Sequence, residues 1–136
     1  MANTYTLEVV TPERVLLSAE VVETIAPGSE GYLGILAGHM ALMTALNPGE
    51  VRVKFADGRT TSQIVISGGF LEVARAKTTI LADSAERVDE INVNEAEADL
   101  AEARRLLAEL EPGTTEFRAA ARKSQLCEAR VRSVKG

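Results

Sequence analysis

From Thr4 to about Ala82 apolar and polar residues alternate with a period near two. Tyr5, Leu7 and Val9 fall on one side and Thr6, Glu8 and Val10 on the other, and β-branched residues are frequent. That period predicts strands. Glycine and proline break the pattern at Pro12, Pro27-Gly28, Gly31, Gly34, Gly38, Pro48-Gly49, Asp57-Gly58 and Gly68-Gly69, a spacing that suits many short antiparallel strands. The clearest hairpin joins residues 51–55 to residues 60–66 through Asp57-Gly58, because Asp-Gly supplies the positive φ angles of a tight turn. Further strands are predicted at 15–17, 21–26, 41–46, 70–73 and 78–82. Residues 31–34 and 67–69 read as turns. The fold class is therefore mainly β plus α, beginning with a small sandwich or flattened barrel.

After Ala85 the period changes and Ala, Glu, Leu and Arg take over, residues of good helix propensity. Asn92 with Glu95 three residues on reads as a capping box, so a helix is predicted from about Val93. Ala96, Leu100, Ala103, Leu107 and Leu110 form its apolar stripe, and Pro112-Gly113 stops it. Thr114 or Thr115 caps a second helix with the stripe Phe117, Ala120, Ser124, Cys127, Val131 and Val134. A short turn between two such helices makes an antiparallel hairpin. The expected division is residues 1–85 for the sandwich and 86–136 for the hairpin. Burial stabilises by about 25 cal/mol per Å² of apolar area, so a stripe of Ala, Ser and Cys makes the hairpin marginal alone. It must lean on the sandwich or on a partner, and it can change its docking.

The chain has 136 residues with 46% apolar content, enough for one compact domain, or a small domain with an appendage, with a core of its own. A single cysteine leaves no internal disulfide and suits a reducing compartment. The N-terminus lacks a signal-peptide pattern, and no apolar run approaches the roughly 20 residues of a membrane-spanning helix. The formal charge of −5 argues against global attraction to nucleic acid or acidic lipid. Its distribution says more. Residues 1–85 hold 9 acids and 6 bases, residues 86–113 hold 9 and 3, and residues 114–136 hold 2 and 6. The last helix is a cationic arm carrying Arg118, Arg122, Lys123, Arg130 and Arg132, which either pairs with the acidic helix beside it or meets an acidic partner.

The inventory for catalysis is poor. His39 has no second histidine for a metal site, Cys127 reads as a small core residue, and no phosphate-binding glycine motif is present. The expectation is a non-catalytic protein with no metal and no cofactor. A small sandwich enzyme acting through His39 is the weaker alternative.

Two segments resemble a known family. Gly31-Tyr32-Leu33-Gly34-Ile35-Leu36-Ala37-Gly38-His39-Met40-Ala41-Leu42 is similar to the Gly-x-Leu-Gly-Ile-x-x-Gly-His-x-Pro-Leu segment of the epsilon subunit of F-type, proton-translocating ATP synthases. Ser67-Gly68-Gly69-Phe70-Leu71-Glu72-Val73 is similar to that family's Ser-Gly-Gly-x-x-Glu-Val. The resemblance implies a ten-stranded N-terminal β-sandwich, a C-terminal helical hairpin and a non-catalytic rotor subunit of the central stalk. Its implied partners are the gamma subunit, the ring of membrane c subunits and the alpha/beta catalytic head, with no nucleic acid and no membrane insertion. It implies a peripheral position on the cytoplasmic face of a bacterial inner membrane. By resemblance Glu30, Gly31, Tyr32, His39, Met40 and Leu42 serve the c ring and gamma. The arginines and lysine of the second helix would meet an acidic segment of beta and inhibit ATP hydrolysis. Two departures from the family are Ala41 in place of Pro and Tyr32 where a polar residue is frequent.

Some family members bind ATP through a motif of the form Ile/Leu-Asp-x-x-Arg-Ala, which would make the chain a nucleotide sensor. Here the matching residues are Ile91-Asn92-Val93-Asn94-Glu95-Ala96. Asn and Glu replace the Asp and Arg, and Glu95 would set like charge beside a triphosphate. The isolated protein should bind ATP poorly in calorimetry, and micromolar affinity would favour the sensor.

Overall fold

The computed structural model describes residues 3–136. Nine strands come first: β1 Tyr5–Val10, β2 Val15–Gly28, β3 Gly31–Leu36, β4 Leu42–Leu46, β5 Gly49–Phe55, β6 Thr61–Ile66, β7 Gly69–Ala74, β8 Lys77–Ala82 and β9 Ala85–Arg87. A 3-10 turn at Val88–Glu90 leads to α1 Val93–Glu109 and α2 Thr115–Lys135. The described residues thus hold nine strands where ten are expected. The segments predicted at 15–17 and 21–26 are one continuous strand, β2, which has no glycine or proline before Pro27. The Gly31–Gly34 segment is not a turn alone. Gly31 takes φ 127, and Leu33 and Ile35 then point inward while Tyr32, Gly34 and Leu36 point outward, which makes a strand.

The strands run β1-β8-β7-β4-β2-β5-β6-β9, with β3 paired to β2 and β1 also paired to β2. β1 lies parallel to β8 and antiparallel to β2. Tyr5, Leu7 and Val9 are buried and join Ile35, Ile64, Ile66, Leu71 and Ile80 in the core. The Tyr5 hydroxyl lies 2.7 Å from Thr24 Oγ1 and 2.9 Å from the Ile35 carbonyl. It therefore donates to the carbonyl and accepts from the threonine, so the buried polar groups are satisfied.

Asn92 accepts from the Glu95 backbone N–H at 3.1 Å and Thr114 from that of Phe117 at 3.1 Å. Only the asparagine half of the expected capping box forms. α1 packs on α2, and α2 packs on β5 and β6, so α2 is the middle layer. It buries the expected Ala120, Ser124 and Cys127, and also Ala129 and Ser133. Ahead of the hairpin the chain is clamped. β9 pairs with β6, Arg87 donates to the Leu16 carbonyl, and Arg14 grips Glu90 through both terminal nitrogens at 3.0 and 3.3 Å. Those bonds and the Arg87 backbone N–H hold the Glu90 carboxyl below its ordinary range.

Gly69 is the tightest point of the second motif. Its φ is 147, and a Cβ there would lie 2.0 Å from the Leu81 carbonyl oxygen. Backbone cannot yield as a side chain can, so Gly69→Ala should cost at least about 2 kcal/mol. The urea midpoint should fall with an unchanged slope.

Candidate functional site

The first cluster lies where β2 turns into β3. Glu30 sits in a two-residue turn closed by the pairing of Gly28 with Gly31. The turn is tied to β4 by the Ser29 N–H, which donates to the Ala45 carbonyl at 3.1 Å. Glu30 and Gly31 are exposed, as is Tyr32 on the outward side of β3 with Leu36. The loop after β3 turns at Gly38, φ 81. The His39 ring Nδ1 is 2.8 Å from the Met40 carbonyl, so that nitrogen carries the proton and donates. The histidine braces a loop whose tip is Met40, 83% exposed. Leu42 departs from the cluster, since its side chain is partly buried against the core. The structure therefore brings Glu30, Gly31 and Tyr32 together at one turn and His39 and Met40 at the next loop, and turns Leu42 inward.

Sequence reasoning missed a second surface. Strand register places Ala45 beside Phe70, Phe70 beside Leu81, Leu81 beside Val10 and Val10 beside Val15. These residues make one apolar row across β4, β7, β8, β1 and β2. Phe70, Leu81 and Val15 are each more than half exposed, and Met43, two residues from Ala45 on the same face, is 70% exposed. A contiguous apolar row on the outside of a sandwich marks an interaction site. Adjacent apolar residues at Phe70-Leu71 and Ile80-Leu81, where strict alternation would place one polar residue, are its signal in the sequence.

The cationic helix is largely engaged by the chain itself. The Arg130 side chain, 13% exposed, lies 2.5 Å from Glu86 and 3.7 Å from Asp99. Arg122 donates to the Ser67 carbonyl at 3.4 Å and Arg118 to the Gly113 carbonyl at 2.9 Å. Lys123 is exposed, as is Arg132, which lines a cleft of about 590 Å³ with Tyr32, Glu50 and Arg52. Of the two uses open to the arm, pairing within the chain is the one in place here, with Glu86 of β9 as the nearest partner.

Burial pushes the Cys127 thiol up, and nearby Asp99 pushes it further, so the sulfur is a protonated core group and a poor nucleophile. Among the described residues no group of His, Cys, Asp and Glu is arranged to hold a metal ion. No helix among them is long and apolar enough to cross a membrane.

Comparison with known proteins shows what the chain is similar to. The model of the family described as "ATP synthase, Delta/Epsilon chain, beta-sandwich domain" matches residues 4–88. The proteins named ATP synthase epsilon chain from Brucella melitensis biotype 1 and Brucella suis biovar 1 are each 49% identical over 107 residues, 79% of this chain and 78% of theirs. A chain in the cryo-EM structure of the Euglena gracilis mitochondrial ATP synthase, OSCP/F1/c-ring in rotational state 1, matches 93% of this chain and 78% of its own length. It does so with a TM-score of 0.80 and 26% identity. A chain of the Tetrahymena thermophila mitochondrial ATP synthase central stalk and c ring shares the fold, with a TM-score of 0.63 at 16% identity and 98% of each chain covered.

Proposed function

We propose, from the premise that the chain belongs to the epsilon-subunit family of F-type ATP synthases, that it is a non-catalytic rotor subunit coupling c-ring rotation to ATP synthesis elsewhere in the complex. The observation that carries this reading is the apolar row from Met43 and Ala45 through Phe70 and Leu81 to Val15. A freely tumbling protein gains nothing by exposing it, whereas a subunit packed on a gamma stalk buries it. Glu30, Gly31, Tyr32, His39 and Met40 are assigned to the c ring and the foot of gamma, where glycine turns allow close backbone approach. The subunit would sit peripherally at the cytoplasmic face of a bacterial inner membrane.

In this reading residues 1–85 transmit torque and residues 86–136 regulate, the regulatory part being α1 and α2, since residues 86–90 are tied to the sandwich. The hairpin brakes ATP hydrolysis when its cationic second helix leaves the sandwich and meets an acidic segment of the catalytic head. Docked as it is here, α2 has Arg122 and Arg130 committed within the chain, so the brake requires those contacts to open. The same contacts favour a second reading, in which the hairpin stays docked and serves as a structural brace. The nucleotide-sensing reading gains no support, because the Asn92 side chain is used as the α1 cap and Glu95 replaces the cationic residue. A catalytic His39 gains none either, since among the described residues its exposed ring has no carboxylate or nucleophile hydrogen-bonded to it, its one contact being the Met40 carbonyl.

Truncation after Glu90 keeps the Arg14 clamp and removes both helices. In the assembled complex it should leave proton coupling intact and raise ATP hydrolysis. Unchanged hydrolysis would assign the hairpin to the bracing role.

A further inference from the structure

Glu72 is the one charged residue between Ser67 and Val73, and nothing in the fold accounts for it. It is exposed on β7, where strand register sets it between Met43 of β4 and Thr79 of β8. Neither neighbour offers a carboxylate a partner, and glutamate is a poor strand former. Thr79 lies beside Glu8, whose carboxylate is taken by Lys77 at 3.4 Å. Among the described residues the ion pairs that involve the sandwich are Arg14–Glu90, Arg52–Glu50, Lys77–Glu8 and Arg130–Glu86. Glu72 and Asp83 have no part in them.

Both residues flank the outer apolar row. Glu72 follows Phe70 by two residues on the same face of β7, a separation of roughly 7 Å. Asp83, also exposed, follows Leu81 by two. Its N–H donates to the Gly68 carbonyl at 2.9 Å, which carries the pairing past the end of β8. Phe70 and Leu81 thus have an unpaired carboxylate along each edge. A partner that covers the row strips water from both groups, and an ionised carboxylate desolvated without a counter-charge opposes binding. A purely apolar surface is disfavoured for that reason. So is a second copy of this face, whose edges carry the same carboxylates and whose Lys77 is already paired.

We propose, resting on the gamma reading above, that Glu72 is the charged specificity determinant of the outer face, with Asp83 across the row. Each receives a lysine or arginine from a gamma segment whose apolar strip is edged with cations. The carboxylates act on encounter and register, and Phe70 and Leu81 hold the complex once it has formed.

Stopped-flow association of the full chain with the gamma subunit over a range of salt concentrations tests this. For the parent the association rate should fall as salt rises, because screening weakens the attraction between the edges. At low salt Glu72→Gln should slow association about threefold and Glu72→Lys about tenfold or more, both with a shallower salt dependence. Asp83→Asn should act in the same direction. Phe70→Ala reads the apolar row by itself, and should speed dissociation while leaving the salt dependence in place. Glu72 variants that melt with the parent and associate as it does at every salt concentration would overturn the role of Glu72, leaving the row as the gamma seat. Phe70→Ala with the parent's dissociation rate would instead remove the gamma reading of this face, and the proposal with it.

Discussion

The sandwich is organised by one strand. β2 runs 14 residues without interruption and pairs in turn with β1, β3, β4 and β5. Because side chains alternate with a period of two, a slip of one residue along β2 would turn every inward group outward. Register on this strand therefore sets several features together. It places Thr24 under the Tyr5 hydroxyl, Val15 at the end of the outer apolar row, and Gly28 opposite Gly31 at the turn that carries Glu30 and Tyr32. The shift in pairing with β5 between Val21 and Glu23 marks where the strand bends from one set of neighbours to the next.

A second constraint follows from the size of side chains on α2. A helix in the middle of three layers must bury two faces, and large residues on both would force the layers apart. Ala129 and Ser133 on one side and Ala120, Ser124 and Cys127 on the other keep it close to both neighbours. The same economy of volume removes apolar area from the contact with the sheet. Its polar groups, Ser133, Arg130 and Arg122, therefore carry much of the contact with the sandwich.

Much of this was legible in the residues, for physical reasons. The alternation of Tyr5, Leu7 and Val9 and the caps at Asn92 and Thr114 are local signals, and the structure carries each of them where the pattern placed it. What stayed hidden depends on pairing between distant residues. The apolar row draws on five strands, so none of its neighbours can be read from spacing along the chain. Glu86 and Arg130 are 44 residues apart, and the sheet-facing side of α2 looks like a solvated face because its contacts are made by Arg and Ser. β3 was masked by its glycines, which punctuate the chain whether they end a strand or begin one.

The central claim is that the outer row of the sandwich is the seat of the rotor stalk. Titration of the full chain against the gamma subunit tests it most directly, comparing the parent with Phe70→Lys/Leu81→Lys after its fold and melting behaviour have been matched. Both side chains are exposed, so the change spares the core while placing charge in an apolar interface. Affinity should fall by about 100-fold or more. Equal affinity in a folded variant would contradict the assignment of this face.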